Sequence, residues 1–276
     1  MKASILTYHS HNISGADYGT NDHVALALDL ELIAHLGIRI APLREIAGRL
    51  VGDHEGRERL VGLSFDDGPV FDFEDFIHPK FGPQRSFFNI LRDFRARHGA
   101  VTQPTLHATS FVIASPDARA AMERAEDCGY PFLSGWLGDH WWREAASSGL
   151  MDIGNHSWDH VHHAVERIAI DSGVRDDFTQ VSSHHEADRE IRTAGQFIRE
   201  RTGSPCDLFA YPYGHASEFL VAEYFPAHQH EHGMVAAFGA MGGAVEGGVS
   251  RWNIPRLVCG HHWKSPDELR ALLQGS

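Results

Sequence analysis

Short apolar segments alternate with helical segments along almost the whole chain, and this alternation most constrains the fold. The segments that read as strands cover residues 4–8, 38–42, 60–65, 107–114, 151–154, 208–211, 235–238 and 254–258. Strands that are separated by helices pair in parallel. About seven or eight such units predict an α/β fold, most simply a barrel, with a doubly wound open sheet as the alternative.

The chain shows no internal sign of a domain boundary. It has no Pro/Gly/Ser-rich linker, repeat or low-complexity tract, so we expect residues 1–276 to form a single catalytic domain. Residues 70–103, which are rich in Phe, are expected to decorate the rim of the barrel. No glycine-rich nucleotide-binding motif follows a strand, which gives no support to a nucleotide-binding fold.

The net charge of the chain argues against two classes of binding partner. Lys plus Arg is 24 and Asp plus Glu is 37, a formal charge of −13, which disfavours nucleic acid and anionic membrane surfaces as partners.

No apolar run resembles a transmembrane helix or a signal peptide, so cytoplasmic localisation is expected. The three cysteines form no CxxC pair, which argues against a thiolate zinc site. The sequence does not determine the oligomeric state.

Two adjacent carboxylates, Asp66 and Asp67, stand at the end of an apolar strand and precede Gly68-Pro69. Successive side chains of a strand point to opposite sides. Both carboxylates stay ionised most easily if one binds a cation while the other faces water or a cationic partner. The glycine and proline predict a sharp turn immediately afterwards.

Two histidines, His156 and His160, follow another short strand. If this segment is helical, the two imidazoles lie on one face, at a spacing that suits two ligands of one metal ion. His162 and His163 lie just beyond and are alternative ligands. A third strand ends in the sequence Tyr-Pro-Tyr-Gly at 211–214, a rigid loop whose backbone N–H groups can stabilise an oxyanion.

Three segments, SFDDGP at 64–69, HSWDH at 156–160 and AYPY at 210–213, resemble in type and order the motifs of the polysaccharide deacetylase family, carbohydrate esterase family 4. The resemblance implies a distorted (β/α) barrel with about seven parallel strands and one divalent metal ion, most commonly zinc, with cobalt, nickel or iron as alternatives. It implies that Asp67, His156 and His160 are the metal ligands. It further implies that Asp66 is the catalytic base and that the backbone N–H of Tyr213 helps to hold the oxyanion.

The chain departs from the family pattern at the residue that holds the base. The third motif of the family normally begins with an arginine, and here that position is Ala210. We expect Arg256, which follows the last predicted strand, to supply the missing charge and to contact Asp66. Arg251 is the alternative.

The general acid also departs from the pattern. The family supplies it from a histidine in an LxH segment near the C-terminus, and this chain has Gly-His-His-Trp at 260–263 instead. His261 or His262 is expected to take the role, with His9, which follows the first strand, as an alternative.

The implied function is a metal-dependent hydrolase that removes an acyl group, expected to be N-acetyl, from an N-acetylated sugar or polysaccharide. The alternatives are hydrolysis of a small non-sugar C–N or ester substrate, and a carbohydrate-binding pseudoenzyme. Trp158 is expected to stack on the sugar because of its neighbours. The histidine-rich residues 228–232 could chelate a metal ion adventitiously, but they follow no strand and are expected to form a solvated loop.

Overall fold

The computed structural model describes residues 2–51, 58–125 and 133–275. The strands of this part of the chain are β1 (Lys2–Tyr8), β2 (Arg39–Ile40), β3 (Arg59–Phe65), β4 (Phe76–His78), β5 (Gly82–Gln84), β6 (Ala108–Val112), β7 (Met151–Asn155), β8 (Leu208–Ala210), β9 (Ala236–Phe238) and β10 (Leu257–Val258). The main sheet has the order β10-β1-β3-β6-β7-β8-β9, with β2 added beside β3, and every pair in it is parallel.

The main sheet curls until its two ends meet. Ile254 forms a parallel bridge with Phe238 of β9, and a few residues later Leu257 pairs with Leu6 of β1. The segment that contains β10, one end of the strand order, therefore also contacts β9, the other end. This confirms the predicted distorted (β/α) barrel with seven strands along its main path, and it rules out the open doubly wound sheet.

Helices cover the outside of the barrel. Those of the described residues are α1 (Asp22–His35), α2 (Leu43–Val51), α3 (Phe87–His98), α4 (Pro116–Arg124), α5 (Trp142–Ser147), α6 (His184–Ala187), α7 (Ala194–Thr202), α8 (Phe225–Ala227), α9 (Gln229–His232) and α10 (Pro266–Gly275). Two π-helical stretches, Asp188–Thr193 and Leu220–Tyr224, lie between α6 and α7 and before α8. No helix in the described ranges has the length and apolar character needed to cross a bilayer.

Residues 70–103 contribute more than a rim decoration. They contain the antiparallel hairpin of β4 and β5, and they also contain α3, the helix that leads towards β6. Phe87, Leu91 and Phe94 of α3 are buried in the main hydrophobic core. This stretch therefore provides a structural helix of the barrel as well as the β4–β5 hairpin.

The parallel strands bring the chemically active residues to one edge. His9 follows β1, Asp66 follows β3, His156 follows β7 and Tyr211 follows β8. In a barrel of parallel strands the carboxyl ends open on the same face, where the active site of such folds is built. Residues far apart in sequence therefore meet there.

Candidate active site

The turn after β3 separates the two aspartates. Asp67 (φ 71°) and Gly68 (φ 67°) both adopt the left-handed conformation, which aspartate tolerates and glycine favours. A Cβ atom on Gly68 would lie 2.5 to 2.9 Å from atoms of Val112, so only glycine fits there. Both carboxylates line the same cavity, where Asp66 contacts Arg256 and Asp67 lies against the histidines described below.

The segment that carries His156 and His160 is a tight turn, so the helical arrangement considered from the sequence is wrong. Ser157 (φ 72°) and His160 (φ 61°) have left-handed backbones. The side chain of Asn155 accepts a hydrogen bond from Ser157 N (2.9 Å), and Ser157 Oγ accepts one from His160 N (2.9 Å). These side-chain bonds replace a helical ladder and still bring the two rings together, with centroids 4.9 Å apart.

A buried acid, Glu190, supports this turn from behind, and it was not predicted from the sequence. Glu190 Oε2, on the π-helical stretch, accepts hydrogen bonds from Trp158 N (3.0 Å) and Asp159 N (3.3 Å). Asp159 in turn accepts one from Ala169 N (2.6 Å). Burial and the neighbouring Asp159 raise the pKa of Glu190 well above its ordinary value.

Three potential ligand atoms converge in front of the turn. Asp67 Oδ1 lies 3.5 Å from His156 Nε2 and 3.4 Å from His160 Nε2. Ligands at about 2.0–2.1 Å from a tetrahedral zinc ion lie about 3.4 Å from each other. The Nδ1 atom of His156 is 2.9 Å from the Ala210 carbonyl, the outer hydrogen bond that typically leaves Nε2 of a ligating histidine free to bind metal. The donor set therefore fits a divalent ion.

The charges around the three atoms also suit a cation. Burial and the neighbouring His156 lower the pKa of His160 to about 3, so its ring is neutral, as a ligand must be. Burial opposes protonation of His156, but the nearby Asp66 and Asp67 outweigh it and raise its pKa. The negative charge of Asp66 and Asp67, which favours a proton on the His156 ring, also favours a metal cation at its Nε2 atom.

Arg256 makes the contact with Asp66 that was expected from the sequence. Its Nη1 and Nη2 atoms lie 2.7 and 2.8 Å from Asp66 Oδ1 and Oδ2, and its Nε donates to the Gly239 carbonyl (2.9 Å). Burial raises the pKa of Asp66, but the charge of Arg256 more than compensates, so that the pKa lies below its ordinary value. Arg251 instead donates to Gln229 (2.8 Å), away from the aspartates.

Tyr213 lies at the mouth of the site on the loop after β8. It has a left-handed backbone (φ 58°), its ring lies 4.4 Å from that of His160, and its hydroxyl donates to Asp176 Oδ1 (2.8 Å). Its side chain is 38% exposed, so the loop borders solvent on one side and the histidines on the other.

A cavity of about 770 Å³ opens in front of these residues, and its lining includes Asp66, Asp67, His156, His160 and Tyr213. His9 and His261 also line it, whereas His262 does not and accepts a hydrogen bond from Val258 N (2.9 Å). Trp136 is the tryptophan of the lining. Trp158 packs edge-on against Phe197 instead, so the expectation that it faces the substrate is wrong.

Three further histidines line the cavity, of which His11 was not assigned a role from the sequence and His162 and His163 were alternative ligands. His11 Nδ1 lies 3.7 Å from Asp67 Oδ2, and burial lowers the pKa of His11 to about 4. Its position two residues after His9, directly beyond a strand, was a signal that could have identified it. His162 and His163 line the cavity but gather around Asp176, so they are separate from the Asp67 group.

Several solved structures share this fold. The Streptococcus pyogenes deacetylase PplD in complex with acetate is 14% identical, with a TM-score of 0.66 over 99% of this chain and 98% of that one. IcaB from Ammonifex degensii is 19% identical (TM-score 0.63; 99% and 97% covered). A de-N-acetylase from Aggregatibacter actinomycetemcomitans is 17% identical (TM-score 0.58; 95% and 96% covered). These likenesses support the fold.

The assignment to a family rests on the sequence itself. No curated protein matches the chain closely enough to count as a relative. The family model for polysaccharide deacetylases, however, matches residues 53–225, which is well over half of the chain and includes all three motifs. With the barrel and the Asp-His-His group in place, the chain belongs to the polysaccharide deacetylase family.

Proposed function

We propose that the protein is a metal-dependent hydrolase that removes an acyl group, expected to be N-acetyl, from an N-acetylated sugar or polysaccharide. The observation that carries the proposal is the convergence of Asp67, His156 and His160 beside an arginine-paired Asp66 in one cavity. A binding module needs no base beside a three-ligand metal site. The family membership supports the same class of reaction.

In this proposal Asp67, His156 and His160 hold the metal ion. Two imidazoles and one carboxylate suit zinc, with cobalt, nickel or iron as alternatives. A divalent ion held there would act as a Lewis acid, which would polarise the acyl carbonyl and lower the pKa of bound water. Three protein ligands leave a position open for the reacting groups, which is the usual composition of a catalytic site and not of a structural one.

The remaining residues move protons and stabilise charge. Asp66, kept ionised by Arg256, accepts a proton from the attacking water. The backbone N–H of Tyr213 donates to the oxygen of the acyl group as negative charge develops on it. When the C–N bond breaks, the nitrogen takes a proton from His261, so that one water and one amide give one carboxylic acid and one amine.

His261 is preferred to His262 as the acid because it lines the cavity, whereas the His262 ring accepts a backbone hydrogen bond. His9 lines the cavity as well and remains the competitor. Comparison of His261→Ala, His9→Ala and His262→Ala separates them. The variant that lacks the acid should lose activity on amides far more than on activated esters, whose leaving group needs no proton, and His262→Ala should resemble the wild type.

Acetate release from N-acetylated chito-oligosaccharides of increasing length, with and without added zinc or cobalt, tests the proposed function. We expect metal-dependent release of acetate. If activity is confined to small non-sugar amides or esters, the substrate is not a sugar and the proposed substrate class is wrong. Binding of the oligosaccharides without any release would indicate a pseudoenzyme and contradict the proposed reaction.

A further inference from the structure

A second group of potential ligand atoms lies on the surface, formed by residues that do not line the cavity. His184 Nε2 is 3.3 Å from His228 Nδ1, His228 Nδ1 is 2.8 Å from Glu231 Oε1, and His184 Nε2 is 3.8 Å from Glu231 Oε2. The three side chains are 45%, 33% and 38% exposed, so an ion from solution can reach them. We call His184, His228 and Glu231 the surface triad.

The fold brings the surface triad together from two separate helical segments. His184 is the first residue of α6, which Ser183 caps, whereas His228 lies directly before α9 and Glu231 within it. The segment 228–232 is therefore largely helical, and the expectation of a solvated loop is wrong. A loop would leave the three side chains unconnected, whereas α9 fixes Glu231 one turn beyond His228.

Tyr224 orients both histidine rings of the surface triad. Its ring stacks on that of His228 (centroids 5.6 Å apart, 28° between planes) and meets the ring of His184 edge-on (5.4 Å, 67°). Its hydroxyl donates to Asp188 Oδ1 (2.8 Å), which fixes the tyrosine itself. The ring orientation that ligation requires is therefore already present, which reduces the conformational entropy that an ion must remove on binding.

The distances fit a shared cation. Ligand atoms around one tetrahedral zinc ion lie about 3.4 Å apart, and the two imidazole nitrogens are 3.3 Å apart. His228 Nδ1 lies 2.8 Å from one carboxylate oxygen of Glu231, and His184 Nε2 lies 3.8 Å from the other. Both ring nitrogens point at the same carboxylate, whose charge attracts a cation. Two imidazoles and a carboxylate are ligands that suit zinc among the divalent ions.

We propose that the surface triad binds a second divalent metal ion, of which zinc is the best fit, with water completing the coordination. This ion would join α6 to α9 and stabilise the folded state, because any ligand that binds only the native protein does so. It would take no part in the reaction, since the triad is not part of the cavity lining. The site is independent of the proposed function.

Zinc content measured in a His156→Ala background tests the second site without interference from the first. After equilibration with zinc and removal of the excess, we expect His156→Ala to retain one zinc per chain through the surface triad. His156→Ala/His228→Ala should lose that ion. His156→Ala/His185→Ala is the matched control, because His185 is an exposed neighbour of His184 on the same helix, and it should retain the zinc.

Thermal unfolding in the same background supplies a second readout. At zinc concentrations about a hundredfold above Kd, the melting temperature of His156→Ala should rise by on the order of 5 °C, and this rise should vanish in the double variant with His228→Ala. Equal melting temperatures in chelator would show that the variants fold alike, and His184→Gln serves as a milder substitution if they do not. Zinc retained in the His228→Ala double variant, or no zinc in His156→Ala alone, would overturn the proposal.

Discussion

Replacement of Arg256 by glutamine should move the acidic limb of the pH–rate profile. Arg256 is 1% exposed and holds both oxygens of Asp66, which is itself 5% exposed. In the wild type the pKa of Asp66 lies below its ordinary value because the charge of Arg256 outweighs the effect of burial. Without that charge, the largest opposing effect to burial is removed, and the pKa should rise even though His156 still lowers it.

The sign and size of the shift follow from this pair. A catalytic base works only when ionised, so activity is lost as the pH falls through its pKa. A neighbouring arginine typically lowers the pKa of an aspartate by about one to three units. The acidic limb of kcat/KM for Arg256→Gln should therefore move about one to three units towards higher pH. Loss of a partner from a buried ion pair also costs about 3–5 kcal/mol of stability, so the melting temperature should fall.

The assay is kcat/KM against pH for the wild type, Arg256→Gln and Arg251→Gln on the oligosaccharide that proves active. Arg251 is the matched control because it contacts Gln229 and the ring of Trp252. Its variant should keep the wild-type limb. If Arg256→Gln is active with an unshifted limb, Asp66 is not the base whose protonation limits the reaction.

Two further predictions concern the roles assigned at the cavity. Asp66→Asn should keep the metal bound at the Asp67 group but lose about a hundred- to ten-thousandfold in turnover, whereas Asp67→Asn should lose that ion and keep only the ion of the surface triad. Metal content and kcat are measured together, and the opposite pattern would mean that the two roles are reversed. Tyr213→Phe removes only the hydroxyl that bonds to Asp176 and keeps the backbone N–H, so kcat should change by less than about tenfold. A larger loss with unchanged stability would place the hydroxyl itself in the reaction.

The fold and the centre of the site could be predicted because they depend on local pattern. Alternating strands and helices indicate parallel pairing, and residues that follow such strands meet at one edge. The pattern placed these residues at one edge, and the resemblance to the polysaccharide deacetylase family then selected Asp67, His156 and His160 as a group and Arg256 as the partner of Asp66, contacts that the structure shows. Even there, the helix considered for the segment between His156 and His160 was wrong. The side chains of Asn155 and Ser157 stabilise a turn in this segment, which the spacing of the histidines alone does not reveal.

The remaining features depend on contacts between distant segments. Glu190 supports the turn at Trp158 from 32 residues away, and nothing near either residue indicates the contact. His184 and Glu231 belong to different helices that meet only in the folded chain. Such juxtapositions follow from how the helices pack on the barrel, which periodicity along the sequence does not encode.

The most direct test of the central claim is reconstitution of the metal-stripped protein with zinc while acetate release is followed. Stripped wild-type protein should release no acetate from an N-acetylated oligosaccharide, and activity should return as zinc is added. His160→Ala should stay inactive at every zinc concentration that restores the wild type, because the ion at Asp67 then lacks one of its three ligands. Full activity of the stripped wild type, or equal recovery by His160→Ala, would contradict the assignment of this group as the metal centre of the reaction.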